Sequence, residues 1–384
     1  MDIKKLYDEM CSLAVFRGIR ELKTMDSLMR LLKEPTYENA GEFAANLYRH
    51  SADLTGYVSK AVSENENEYL RRLAVRREVP APMERSVERE LLILERLSLL
   101  RPEDIPLEGI AGWDTDKADF RSMYRERVEK LFTKGFGIYS KHTAFMLKGD
   151  DIVPVLTPDP QRLSELHSYE LQRKQVVDNT LALINGLPAA NALLYGDAGT
   201  GKSSTVKAVV NEFADRGLRL IEIKKSQLTQ LPLVMEQIVG NPLKFIIFID
   251  DLSFATDDED FGMLKAVLEG SVSAKADNAV IYATSNRRHL LKERFADRSG
   301  DDVHAGDTRQ EQASLSERFG LRVTFLKPDK QVYLEIVEEL AKQYGIDIPR
   351  EELFAGAESY ALRRSGRSGR AARHYVESLK SGRI

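Results

Sequence analysis

Gly196, Asp197, Ala198, Gly199, Thr200, Gly201, Lys202 and Ser203 fit GxxxxGK[ST] at every defined position. That pattern of residue types does one kind of chemistry well: it holds polyphosphate. Glycines let a loop curl until its N–H groups converge on phosphate oxygens. A helix opening at Lys202 adds partial positive charge at its N-terminus. Lys202 is the residue to neutralise the β- and γ-phosphates, Ser203 to ligate Mg²⁺, and Ser204 follows at the mouth of the helix. The alternative is a glycine-rich turn that binds nothing. The context argues against it, because the loop follows an apolar run at 192–195 and opens a helical stretch at 202–215.

Asp250 and Asp251 form the second constellation, at the end of the apolar run 245–249. The carboxyl ends of parallel strands are where α/β proteins place ligands. Asp250 suits Mg²⁺ held through water, and Asp251 suits polarising an attacking water. An acidic pair there is also a common strand-to-loop cap. Downstream of a phosphate-loop lysine it becomes a companion signal.

These residues need a sheet to position them. Apolar runs bounded by turns predict buried strands at 192–195, 218–223, 245–249, 280–283 and 321–325. Helical stretches between most of them make this a parallel sheet with crossover helices. The chain returns to helix after Pro328. Residues 1–134 read as successive helices, with apolar stripes over 3–19, 42–62 and 87–100 and a charged helix over 116–132. Residues 64–68 read as a break, and Pro80 and Pro82 as a turn. Residues 136–139 and 144–147 look extended, and 152–156 leads into Thr157-Pro158-Asp159-Pro160, so this stretch reads as a short hairpin or linker. The expected organisation is a helical N-terminal domain (1–134), a linker with short strands (135–165), an α/β core (166–328) and a helical lid (329–384).

Composition narrows the function classes. The chain has 384 residues, 42% hydrophobic and 30% charged, with a formal net charge of −4. That excludes wholesale disorder and gives no overall basic signature for nucleic acid. Cys11 is the one cysteine, so the sequence has no intramolecular disulfide and no Cys-cluster metal site. The six histidines form no HExxH pair. No apolar run approaches the ~18 residues that span a bilayer. With no secretory signal in view at the N-terminus, the expectation is a cytoplasmic protein without membrane partners.

Together these segments resemble the AAA+ superfamily of P-loop ATPases. The resemblance covers about residues 160–384, and further stretches carry it. Residues 279–286 resemble the sensor-1 strand, which implies that Asn286 stands between the acidic pair and the γ-phosphate. Residues 314–320, Ser-Leu-Ser-Glu-Arg-Phe-Gly, resemble the box that carries an arginine finger. That implies Arg318 acts in trans on a neighbouring subunit's nucleotide. Residues 368–379 resemble the sensor-2 helix. The Val-Glu register implies Arg370 as the sensor, with Arg373 one turn on as the fallback; a basic surface touching nucleic acid is the competing reading. By position, Leu166 and Tyr169 would form the adenine pocket, although the glycine usual in that motif is missing here. The implied fold is a five-stranded parallel AAA+ core with a small C-terminal helical lid and a mainly helical N-terminal domain. A closer likeness, through 191–204, 250–254, 283–289 and 314–321, is to a bacterial family of uncharacterised AAA+ ATP-binding proteins with a helical N-terminal region.

The resemblance implies ATP/ADP with Mg²⁺, a homo-oligomer, and ATP hydrolysis coupled to assembly or to remodelling of a protein partner held by the N-terminal helices. Two alternatives stand beside it. Asp250-Asp251 replaces the commoner Asp-Glu, which favours a nucleotide switch or scaffold with little turnover. The same pair and the Ser-Glu-Arg-Phe-Gly string resemble AAA+ initiators, which favours a nucleic-acid loader using Arg287, Arg288, Arg363, Arg364 and Arg367. Residues 297–312 read as a loop, with Asp307, Arg309 and Glu311 available to a subunit interface. Lys224–Leu228 lacks the aromatic expected of a protein-threading pore loop.

Overall fold

A computed structural model of the chain describes residues 1–253, 259–269, 277–286, 317–364 and 366–384. Phe254, Arg287, Arg288, His289, residues 314–316 and the 297–312 segment with Asp307, Arg309 and Glu311 lie outside them. The chain divides into two compact units, Met1–Lys141 with Gly240–Pro242, and His142–Val239 with Leu243–Ile384.

The first unit is helical. Its apolar stripes become the core around Met10, Phe16, Phe43, Leu94 and Phe120. The stripe over 3–19 does not stay one helix: Ile3–Cys11 is helical, and Arg17–Glu21 is a 3-10 turn. Glu90 explains the reversal. Its wholly buried carboxylate accepts from the backbone N–H of Ala14, Val15 and Phe16, each at 2.9 Å. Those amides are thereby withdrawn from helical bonding. The stripe over 42–62 also divides, into Tyr37–Tyr48 and Leu54–Glu64. Between them the backbone exchanges bonds with Asp114, whose N–H donates to Ala52 O at 2.8 Å and whose C=O accepts from Leu54 at 2.9 Å. The break at 64–68 is real, and Asn67 caps the next helix by accepting from Leu70 N–H at 3.0 Å. Pro80 and Pro82 begin the helix Ala81–Ser98 rather than turning away from one, as proline's fixed φ allows at a helix start. Residues 136–139 are not extended. Gly137–Ser140 is a 3-10 turn closed by the Ser140 hydroxyl on Gly137 O at 2.8 Å, a local bond that outcompetes a strand ladder.

The second unit is built on one sheet of seven strands: β1 (Ala144–Lys148), β2 (Asp151–Pro154), β3 (Ala192–Gly196), β4 (Leu218–Ile223), β5 (Lys244–Ile249), β6 (Ala279–Ser285) and β7 (Leu321–Phe325). Their order is β2-β1-β4-β5-β6-β3-β7. The five expected strands are there and run parallel. The sheet exceeds the expectation at one edge. Residues expected as a short hairpin or linker form the antiparallel β1–β2 hairpin, and β1 adds to β4 in parallel, with Phe145 opposite Ile221. Phe145 and Leu147 bury on one face while Met146 and Lys148 stay exposed, the alternation of a strand covered on one side. β5 is almost continuously apolar and buried, as central parallel strands covered on both faces are, and β4 is nearly as buried although it carries Arg219 and Glu222.

Three glutamines hold the hairpin to the segment after β4. Gln227 donates to Leu147 O at 3.4 Å, and Gln230 and Gln237 reach Asp150 at 3.1 Å. Helices Lys330–Tyr344, Arg350–Arg363 and Gly369–Lys380 pack around Tyr333, Ala357 and Tyr375 as a cluster of their own. Among the described residues no helix is long and apolar enough to cross a membrane.

Candidate functional site

The loop after β3 is shaped by its contact with β7. Gly196 stands at φ +136, and a Cβ there would lie 2.0 Å from Phe325 O. Only glycine fits both the backbone angle and the approach. Asp197 N–H then donates to that same Phe325 O at 2.9 Å, and its carboxylate accepts from Lys327 N–H at 2.8 Å. The loop is thus stapled to the strand that leads into the lid. Gly199 and Gly201, also at positive φ, carry the curl into the helix Lys202–Phe213. Gly196→Ala is expected to destabilise the second unit by roughly 3–5 kcal/mol, through strain and overpacking together. Urea midpoints compare the variant with wild type; an unchanged midpoint would refute this account.

Lys202 is buried at 6% exposure. Its ammonium donates to Asp197 O at 2.7 Å, Gly196 O at 3.2 Å and Asn286 Oδ1 at 3.0 Å. Burial lowers its pKa, and the carboxylates of Asp197, Asp251 and Asp250 oppose that shift. Ser203 Oγ donates to Asp250 Oδ1 at 2.6 Å.

The acidic pair is held by β6. Thr284 Oγ1 donates to Asp250 Oδ1 at 2.5 Å and accepts from Asp251 N–H at 2.9 Å. One hydroxyl therefore fixes both aspartates, spending its donor on one and a lone pair on the other. Asp251 turns at φ +53, which aims its carboxylate at Asn286, whose Nδ2 donates to it at 2.7 Å. Thr284 and Asn286 stand two residues apart, the spacing that puts strand side chains on one side. Sequence reasoning missed Thr284, and that spacing from Asn286 was the available signal.

The lid closes the other side. Ser368 caps its last helix by accepting from Ala371 N–H at 3.1 Å. Arg370 N–H donates to Gly199 O at 3.1 Å, so this helix end touches the glycine loop directly. The resulting cleft of about 550 Å³ is lined by residues from Ala198 to Thr205, by Asp250, Asp251, Thr284 and Asn286, and by both Arg370 and Arg373. Leu166 and Tyr169 also line it, with Ile336 and Leu340 from the lid. Tyr169 donates its hydroxyl to Leu326 O at 2.6 Å, and its ring lies 5.4 Å from that of Phe325. Burial, aided by the nearby Asp197 carboxylate, pushes its phenol up to about 12. His167, Arg173 and His374, which sequence reasoning also missed, stand on the same wall.

Arg318 is exposed and is not among the residues that line the cleft. Arg367 is engaged by the Glu358 carboxylate through two bonds of 2.9 and 2.7 Å.

The donor set fits magnesium. Ser203 Oγ and Asp250 Oδ1 are adjacent hard oxygens, 2.6 Å apart. No group of three or more His, Cys, Asp or Glu able to hold a metal occurs among the described residues. A cation held by one carboxylate, one hydroxyl, waters and phosphate oxygens is the arrangement magnesium favours.

The mostly parallel sheet, the glycine loop after β3 and the three C-terminal helices make this unit an α/β domain with its cleft at the glycine loop. The chain is 25% identical over 209 residues to the replication factor C large subunit of Thermofilum pendens, covering 52% of this chain and 44% of that protein. It thus spans less than half the length of this curated relative. It is also similar to solved structures of Thermotoga maritima RuvB. One point mutant of that protein matches at 15% identity and a TM-score of 0.41, covering 58% of this chain and 65% of that one. The structure described as the RuvB Holliday junction branch migration motor matches at 16% identity and a TM-score of 0.39, with the same shares of each chain. Residues 140–383 match the family described as "Protein of unknown function (DUF815)", and the chain belongs to that family.

Proposed function

We propose that this chain binds Mg²⁺-ATP in the cleft and hydrolyses it as part of an assembly of like subunits. One observation carries the reading: Lys202, Ser203, Asp250, Asp251 and Asn286 are joined by hydrogen bonds at the cleft, Lys202 and Asp251 through Asn286 and Ser203 through Asp250. The N–H groups of residues 198–204 would hold the phosphates, where a curled loop and a helix N-terminus favour negative charge. Lys202 turns from the loop carbonyls to the β- and γ-phosphates. Ser203 and Asp250 would hold magnesium, which would supply charge neutralisation for the phosphates. Asp251 orients the attacking water and takes up its proton, while Asn286 holds the Asp251 carboxylate and contacts the γ-phosphate. Arg370 reaches the same phosphate from the lid, with Arg373 beside it. The base rests between Leu166, Tyr169 and the lid. Arg318, outside its own cleft, serves the neighbouring subunit's nucleotide. The helices of residues 1–134 select the protein partner.

The segment after β4 does not suit threading a polypeptide. It has no aromatic at 224–228, and glutamines tie it to the β1–β2 hairpin.

A nucleotide switch with little turnover is the second reading. It is favoured by Asp251, one methylene shorter than glutamate and already engaged by Asn286 at 2.7 Å. ATP binding and phosphate release, measured across a protein concentration series, separate the two. A specific rate that climbs with concentration is expected. Retained binding with no release at any concentration favours the switch, and no ATP binding at all removes both.

A further inference from the structure

Asp251 stands in a backbone conformation that few side chains tolerate. Its φ is +53, and in that left-handed region Cβ crowds the following carbonyl oxygen of every residue but glycine. Aspartate and asparagine enter it several times more often than other side chains do. The turn is held from one place. β5 ends at Ile249, which is paired with Ala283 of β6. Thr284, the next residue of β6, then binds three residues in succession. Its Oγ1 donates to Asp250 Oδ1 at 2.5 Å and accepts from Asp251 N–H at 2.9 Å, and its main-chain oxygen accepts from Leu252 N–H at 2.7 Å. The chain thus passes from two exposed carboxylates to a wholly buried leucine within one turn, against a threonine that is 2% exposed. Backbone strain persists where the surrounding structure over-determines it, and it collects at functional sites.

We infer that Thr284 is a positioning residue for ATP hydrolysis: it holds Asp251 in the left-handed turn that brings its carboxylate to Asn286, and that turn is the reason aspartate rather than glutamate serves here. The inference rests on the hydrolytic reading of the cleft. Valine has the shape of threonine without the hydroxyl. In its place the Asp251 N–H has no acceptor, the turn relaxes out of the left-handed region, and the carboxylate leaves Asn286. Among the described residues the hydroxyl bonds only to the two aspartates, so the residues of the glycine loop keep their own contacts. A glutamate at 251 would enter the strained turn less readily, and its extra methylene would carry the carboxylate past the Asn286 amide.

Two readouts on the whole 384-residue chain test this, the first without nucleotide. In Thr284→Val the Asp251 amide is expected to exchange its hydrogen about tenfold faster than in wild type, the size of one net hydrogen bond. Thr284→Ser, which keeps the hydroxyl, should restore protection, and the amide of Ile247 inside β5 reports any general loss of stability. The second readout separates turnover from binding. Thr284→Val should lower ATP turnover by roughly 10²-fold, the cost of a small misplacement of a reacting group. Its affinity for Mg²⁺-ATP should stay within about threefold of wild type. Thr284→Ser should recover most of the turnover, and Asp251→Glu should turn over more slowly than wild type. Unchanged exchange or turnover in Thr284→Val, no recovery in Thr284→Ser, or an Asp251→Glu rate at or above wild type would overturn the inference. A wild type that releases no phosphate but shows the expected exchange pattern would overturn the hydrolytic role and leave the support of the turn by Thr284 standing.

Discussion

Replacing Arg318 by alanine is expected to cut ATP turnover by roughly 10³-fold, the lower range for loss of an arginine finger, with ATP affinity unchanged. The separation of the two quantities is the content of the prediction. Lys202, Ser203, Asp250 and Asn286 line one chain's cleft, and Arg318 is exposed away from it. A planar, permanently charged guanidinium can stabilise charge spreading over the γ-phosphate oxygens only from a chain that presents it there. Mixing supplies the sharper check. Asp251→Asn lacks the carboxylate proposed to orient water but retains Arg318. Combined with Arg318→Ala, it should restore a fraction of the turnover that neither variant shows alone. If Arg318→Ala turned over ATP at the wild-type rate, the trans assignment would fall.

Lys202→Ala carries the second large effect: ATP affinity should drop by roughly 100-fold or more, because two or more charge-assisted bonds to phosphate disappear. Turnover should fall to background. The lysine is also the hub of the cleft, touching Gly196 O, Asp197 O and Asn286 Oδ1. Its burial lowers its pKa, so it gains most from an anionic partner that compensates the lost hydration. Titration with a fluorescent ATP analogue reads the affinity, and the urea midpoint separates a binding defect from unfolding. An affinity within about threefold of wild type would remove Lys202 from the phosphate site.

Local chemistry is what the sequence by itself determined. A phosphate loop must be contiguous, because successive N–H groups and a helix start have to surround one ligand. Gly196 to Ser203 was therefore legible as a string. The apolar runs before Gly196 and Asp250 were legible for a related reason: a parallel strand covered on both faces must be apolar throughout. Helix boundaries were less so. The stripe over 3–19 looked continuous because nothing local reveals that Glu90, far along the chain, takes three of its amides.

The tertiary structure alone decided how distant side chains share a bond. Thr284 holds both aspartates, Asp197 is stapled to the exit of β7, and Arg370 meets Gly199 through the backbone. It likewise decided that the hairpin over 144–154 joins the sheet beside β4. Strand pairing and hydrogen-bond satisfaction depend on partners tens to hundreds of residues away, and composition and spacing carry no record of which partner closes the distance.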